Sequence, residues 1–187
     1  FASFLSTGSP TWLYLSDRLI QFPMGLFGVA IALVALPDIT ELYIKKDSKN
    51  FNKTFLRGSL STLLLGLATM IFYLLFSAEI ISLLFKRGEF QEFDVAMTSA
   101  SLVAYAYALP FLLNSKFFNS IFFATSKTKF VLLLGIVSLF INLLLNYLFI
   151  FTFGMGHVGL ALATTCAALI VWLLSIIFLI YLRKSLA

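Results

Sequence analysis

Long apolar stretches alternate with short polar segments along almost the whole chain. The five longest cover residues 12–37, 59–84, 96–124, 130–153 and 158–182. A helix needs about 20 residues to cross the hydrocarbon core of a bilayer, so each stretch is long enough to span it. The pattern therefore predicts an all-α polytopic membrane protein with five full transmembrane helices. Residues 1–6 have the character of the tail of a preceding helix, which indicates a fragment or a processed piece of a longer protein.

The composition supports this class and excludes others. Hydrophobic residues make up 61% of the chain and charged residues 11%, whereas a soluble domain carries about 25% charged residues. A transmembrane barrel is not supported, because its strands would alternate apolar and polar residues and residues 60–75 are nearly continuously apolar. The single cysteine, Cys166, rules out a disulfide within the chain.

Positive charges are concentrated on alternate polar segments. Segments 38–58 and 125–129 and the C-terminal tail carry nine Lys and Arg residues, against two in segments 85–95 and 154–157. Because cytoplasmic loops are enriched in Lys and Arg, the bias places loop 38–58 and the C-terminus in the cytoplasm. Loop 38–58 is predicted to be a solvated linker or to contain a short helix on the membrane surface. Charges spread in this way do not indicate a nucleic-acid partner.

The first span carries the most informative polar positions. Arg18, Gln21, Gly25 and Gly28 recur at intervals of three and four residues, which places them on one face of a helix. An arginine at membrane depth is costly unless it faces protein or water, so this face, with the adjacent Asp17, is a candidate functional site. The alternative is a packing face whose arginine extends toward the interface.

Other spans hold fewer polar residues. Lys116 lies toward the cytoplasmic end of the third span, where it lines a cavity or extends to the interface. Asn142 and Asn146 share one face of the fourth span, and two amides facing lipid are costly. They are therefore expected to bond a neighbouring helix, the favoured interpretation, or to line a site. Pro23 predicts a kink in the first span.

Sequence motifs for covalent chemistry are absent. The chain contains no phosphate-binding loop, no His/Cys cluster with metal-ligand spacing and no Ser/His/Asp set. The sequence therefore indicates neither an ATP-driven pump nor an intramembrane hydrolase, and we expect no enzyme activity.

One segment resembles a known family. Residues 14–31 are YLSDRLIQFPMGLFGVAI, similar to the motif Y-A-D-R-L-x-Q-x-P-x-G-x-x-G-V-A of the MurJ (MviN) lipid II flippases, which ends in a proline matched by Pro37. Residues 84–90 and the turn at 124–129 also resemble family segments. In that turn Ser126 and Lys129 replace the usual aspartate and proline. The resemblance extends over essentially the whole chain.

The resemblance implies the fold of the multidrug/oligosaccharidyl-lipid/polysaccharide exporter superfamily, in which two lobes surround a central cavity. This chain would form most of the second lobe. The implied function is transport of lipid II, the undecaprenyl-pyrophosphate-linked peptidoglycan precursor, from the inner to the outer leaflet of the bacterial cytoplasmic membrane for cell wall biogenesis. The implied partners are this lipid, the bilayer and the N-terminal lobe that the chain lacks. Arg18 would bind the pyrophosphate through its guanidinium.

The resemblance also implies a cation site and therefore coupling to Na⁺ or to the membrane potential. Asn142 and Asn146 would contribute amide oxygens, and Thr164 or Thr165 a hydroxyl. Two alternatives stay open. Another superfamily transporter, for O-antigen or capsule lipids or for drugs and cations, would share the lobe but not the motif of residues 14–31. A membrane scaffold would use its polar groups only for packing.

Overall fold

The protein is built of long helices, as a computed structural model shows for residues 5–186, without the side chains of residues 29, 32 and 182–186. The helices are α1 Ser9–Ile44, α2 Ser48–Phe85, α3 Glu92–Ala106, α4 Leu109–Ala124, α5 Thr128–Tyr147 and α6 Gly156–Leu186, and a π-helical turn, Leu148–Thr152, follows α5. No strand occurs among the described residues. The predicted helical tail at residues 1–6 lies largely outside them.

The number of membrane spans depends on two bends. Three helices are long and apolar enough to cross a membrane, and the number rises to five if each of two bent helix pairs is one span. The prediction of an all-α polytopic membrane protein is therefore confirmed. The expected depth boundaries of the five spans stay predictions.

The helices assemble so that alternate turns share one end of the bundle. A buried cluster joins the end of α1, the start of α2 and α5, and the ends of α4 and α6 through Ile39, Phe51, Phe122, Leu134 and Leu179. At the opposite end the Trp12 indole donates to the Asp94 carboxylate at 2.8 Å and packs against the His157 ring. Turns 45–47 and 125–127 and the end of α6 thus lie together, the grouping that the charge bias requires.

Segment 38–58, predicted as a loop, is helical except for the turn at residues 45–47. The Asp47 carboxylate caps α2 by accepting the Asn50 backbone N–H at 3.1 Å. Phe51 is buried, and Phe55 stacks on Phe118 with ring centroids 6.0 Å apart. The alternative of a helix within this segment agrees with the structure, whereas a solvated linker does not. The aromatic side chains pack against α4, and tertiary packing of this kind stabilises helices that local pattern does not indicate.

The third predicted span is broken into α3 and α4, which meet at 44°. Pro110, in the first turn of α4, lacks the N–H that a continuous helix would use. The Ala108 N–H donates to Tyr105, so the Ala104 carbonyl loses its helical donor and instead accepts the Thr165 hydroxyl at 2.7 Å. Such side-chain donors satisfy backbone groups that a break frees inside a bilayer. The prediction of a continuous helix is wrong, although the halves together still suit one span.

Helix α4 is fixed to its neighbours just after this break. Gly66 of α2 lies so close to Pro110 that an added Cβ would come within 2.5 Å of the proline Cα. One turn later the fully buried Asn114 amide donates to the Thr62 hydroxyl and accepts the Trp172 indole N–H, both at 2.7 Å. Because the buried amide is hydrogen-bonded on both sides, it ties α2, α4 and α6 together in one arrangement.

Helix α1 bends by 45° between its segments Ser9–Gly28 and Leu33–Ile44. The bend lies about one turn before Pro37, whose missing N–H leaves the Leu33 carbonyl without its helical donor. Pro23 lies inside the first segment, away from this bend, so the kink expected at Pro23 stays a prediction. The bend divides α1 into an N-terminal half that carries Arg18 and a C-terminal half that packs on α4.

Candidate functional site

Arg18 projects from the N-terminal half of α1 and is exposed. Its guanidinium carbon lies 4.9 Å from the centroid of the Tyr14 ring, one turn earlier, in a cation–π contact. The adjacent Asp17 does not pair with it, because the Asp17 carboxylate accepts the Gln21 side-chain amide. The ion pairs among the described residues are Lys45–Glu41 and Lys86–Glu92. Arg18 therefore keeps all its hydrogen-bond donors available.

A groove of about 850 Å³ separates α1 from α4. Its polar and small lining residues are Gln21, Gly25, Gly28, Lys116, Asn119 and Ser120. No atom lies within 4 Å of the place where a Cβ on Gly25 would be, so the small residues leave the groove open. Arg18 lies three residues before Gln21, about 4.5 Å further along the helix axis, at the mouth of the groove that Gln21 marks.

The groove thus joins most of the residues that the sequence suggested. Gln21, Gly25 and Gly28 line one wall, and Lys116, from a different span, lines the other. The carbons of the Lys116 stem lie 3.5 to 3.9 Å from the position of a Cβ on Gly28. Arg18 and Asp17 are not part of the lining. Substrate binding at these residues stays a prediction.

The candidate cation site is separate from the groove. Its amides, Asn142 and Asn146, lie between α5 and α6. The Asn142 amide donates to the Thr164 hydroxyl at 3.1 Å, and the Asn146 amide donates to the Asn142 oxygen at 2.8 Å. The Asn146 side-chain oxygen is buried and has no hydrogen-bond partner among the described residues. Interhelical bonding explains the first two contacts, while the unpaired oxygen leaves room for a ligand.

Several residues that organise this region have roles that the sequence did not indicate. Asn114 and Thr165, the latter considered as a cation ligand, hold the broken third span, and Trp12 with Asp94 joins the N-terminal ends of α1 and α3. A buried amide one turn after Pro110 is a signal that an intramembrane break needs extra hydrogen bonds. The partner of that amide, Trp172, lies 58 residues away and no spacing rule indicates it.

The fold and the groove define a polytopic α-helical membrane protein with a lysine along the wall of a groove between two of its helices. Comparison with known proteins makes the assignment specific. The family model described as lipid II flippase MurJ matches residues 1–187. The chain belongs to the MurJ lipid II flippase family.

Individual relatives agree with the family model. The probable lipid II flippase MurJ of Vibrio cholerae is 38% identical over 167 residues, covering 89% of this chain and 31% of that protein. The Haemophilus influenzae relative is 35% identical over 173 residues, with 89% and 33% covered. The lipid II flippase MurJ of Burkholderia cenocepacia is 29% identical over 162 residues, with 87% and 31% covered. The chain spans about a third of the length of these relatives.

Proposed function

We propose that the full-length protein containing this chain moves lipid II from the inner to the outer leaflet of the bacterial cytoplasmic membrane. The observation that carries the proposal is Arg18, which lies at the mouth of a groove and has no acidic partner among the described residues. A pyrophosphate requires permanently charged donors, and a guanidinium offers a fork that matches its oxygens. The printed names of the relatives support the same cargo.

Transport of this kind makes and breaks no covalent bond. The headgroup enters a water-containing cavity while the lipid tail stays in the bilayer, and rocking of two lobes exposes the cavity to each side in turn. The α1–α4 groove would form one wall of that cavity, and the N-terminal lobe would form the opposite wall. Water in the cavity lowers the cost of holding an unpaired arginine at membrane depth.

The charge of the groove favours an anionic cargo over a cationic drug and over a scaffold role. Arg18 and Lys116 lie at the groove and along its wall, and both are unpaired among the described residues. Two positive charges repel a cationic drug, so a drug or cation antiporter fits the groove poorly. A scaffold that used polar groups only for packing would have no need of an open groove with unpaired cations.

We propose that segments 38–58 and 125–129 and the C-terminus face the cytoplasm, because their turns share one end of the bundle and they carry nine of the thirteen Lys and Arg residues. Cysteines placed singly at Asn50 and Gln91 in a Cys166→Ala background test the orientation. In intact cells an impermeant thiol reagent should label position 91 and leave position 50 unlabelled until the membrane is opened. Labelling of position 50 from outside would reverse the assignment.

We propose further that the amides between α5 and α6 hold a cation that couples transport to Na⁺. The support is the unpaired oxygen of Asn146 beside the Asn142 amide and the Thr164 hydroxyl. Uncharged oxygens of this kind coordinate Na⁺ in broken-helix transporters. The set holds no carboxylate, so the cation would be bound weakly unless another part of the full-length protein adds one.

The full-length protein should restore lipid II on the outer leaflet of cells depleted of their own flippase, as measured with an impermeant lipid II-cleaving enzyme. In vesicles held at equal membrane potential, the rate should be higher in Na⁺ than in K⁺. Asn146→Ala should remove this difference, whereas Asn52→Ala, an amide in the first turns of α2, should keep it. No rescue would refute the transport proposal. Rescue with equal rates in both ions would refute only the sodium coupling.

A further inference from the structure

Lys116 is the second cation of the groove, and its position differs from that of Arg18. It lies opposite Gly28 on the facing helix α4. Ten residues separate Arg18 from Gly28, or about 15 Å along the helix axis. The two positive charges therefore mark two depths of one groove, Arg18 at the mouth and Lys116 in the interior.

The stem of Lys116 is held along the wall of the groove. Its Cγ, Cδ and Cε lie 3.5, 3.8 and 3.9 Å from the point where a Cβ on Gly28 would stand. These similar distances mean that the stem lies flat across the glycine. A methyl group at position 28 would make ordinary van der Waals contact with this stem, so α1 and the Lys116 stem pack closely at this level of the groove.

The alternative, that the Lys116 side chain extends to the membrane–water interface, explains its position less well. Eight residues, about 12 Å of helix, separate Lys116 from the end of α4 at Ala124, which is more than one side chain covers. Lys116 has no ion-pair partner among the described residues. An unpaired ammonium at such depth requires water or an anionic ligand close by. Asn119 and Ser120, which line the groove one turn further on, extend the polar surface around it.

We propose that Lys116 forms a second binding position for the diphosphate of the lipid-linked cargo, deeper in the groove than Arg18. The inference rests on the proposed function. An ammonium group is a point charge that contacts one oxygen at a time, whereas the guanidinium of Arg18 binds two. Lys116 therefore holds the diphosphate more weakly than Arg18, and the cargo passes from one charge to the other as it moves outward.

The test measures binding of undecaprenyl diphosphate and of the neutral alcohol undecaprenol to the purified full-length protein. Lys116→Met keeps an unbranched stem against Gly28 and removes the charge, and Lys116→Gln provides a second neutral replacement. Both should weaken diphosphate binding about fivefold and leave undecaprenol binding unchanged. Lys116→Arg should bind the diphosphate as the wild type does. Lys129→Met, at the start of α5 and outside the groove, is the matched control and should change neither affinity.

The outcomes separate this inference from the proposed function. Wild-type diphosphate affinity in both neutral variants would overturn the role of Lys116, and loss of affinity in Arg18→Ala measured alongside would leave the proposed function intact. If Arg18→Ala also binds as the wild type does, both proposals fail. An equal loss of diphosphate and undecaprenol binding in Lys116→Met would mean that the residue serves packing alone, which also overturns the inference.

Discussion

Arg18→Ala and Arg18→Glu in the full-length protein should abolish lipid II flipping while the amount of protein in the membrane stays near normal. Arg18 is exposed, and its observed contact is with the ring of Tyr14. Its removal therefore leaves no buried group without a partner, and the helix should still form. We expect the loss of flipping to come from weaker cargo binding, because a pyrophosphate at the mouth of the groove would have lost its bidentate donor.

The lysine replacement separates this role from the alternatives. Arg18→Lys should be partly active, since an ammonium keeps the charge but not the fork. If Arg18 only extended to the interface, lysine would be fully tolerated, because its stem also reaches outward. If Arg18 only packed, Arg18→Ala would lower protein level and activity together. The measurement is flipping per inserted molecule, with Arg57→Ala, an exposed arginine near the start of α2, as control. Near-normal flipping by Arg18→Ala would contradict substrate binding.

Gly66→Ala should strongly reduce the amount of folded protein. An alanine Cβ at position 66 would stand 2.5 Å from the Cα and 2.9 Å from the nitrogen of Pro110. Both are backbone atoms of a segment that Asn114 fixes by its hydrogen bonds, so neither can move freely aside. Overpacking of a rigid contact costs about 1–3 kcal/mol or more, a large part of the stability of most proteins.

Gly135→Ala is the matched control for that experiment. No atom lies within 4 Å of the position of its Cβ, and alanine favours helix over glycine by about 1 kcal/mol. The control variant should therefore melt at the wild-type temperature or slightly above. Thermal unfolding of the purified full-length variants measures the difference. Equal melting temperatures for Gly66→Ala and the wild type would show that α2 and α4 separate easily at this contact.

Local pattern was sufficient to predict the helical class and one wall of the groove. Apolar length predicts membrane helices because the hydrocarbon thickness sets it. The spacing of Gln21, Gly25 and Gly28 predicts a shared face because every α-helix has the same period. Lys116 could be placed near a cavity but not opposite Gly28, since contact between two helices depends on their packing and not on the spacing within either one.

The remaining features depend on contacts between distant segments. Pro110 breaks its helix while Pro23 does not produce the bend of α1, although both lie inside apolar stretches. The difference reflects surroundings, because Gly66 and Thr165 accommodate the break at Pro110 by close approach and by a hydrogen bond. Segment 38–58 has the polarity of a loop, yet it is helical because Phe51 and Phe55 pack on α4. Neither the break at Pro110 nor the helix in segment 38–58 follows from the local sequence alone.

The helical hairpin of α1 and α2 extends well beyond the predicted membrane spans at its tip, residues 45–47. Eleven residues of α2, about 16 Å, precede the predicted start of its apolar stretch at Ser59, so by the predicted span bounds the tip at residues 45–47 would stand about 31 Å from the bilayer centre. Arg18 lies inside the predicted span 12–37 and is therefore much closer to that centre. A rotation of about 10° about the centre would displace the tip by about 5 Å and Arg18 by less. A spectroscopic label at the tip would therefore detect rotations of the lobe that displace the candidate cargo site only slightly.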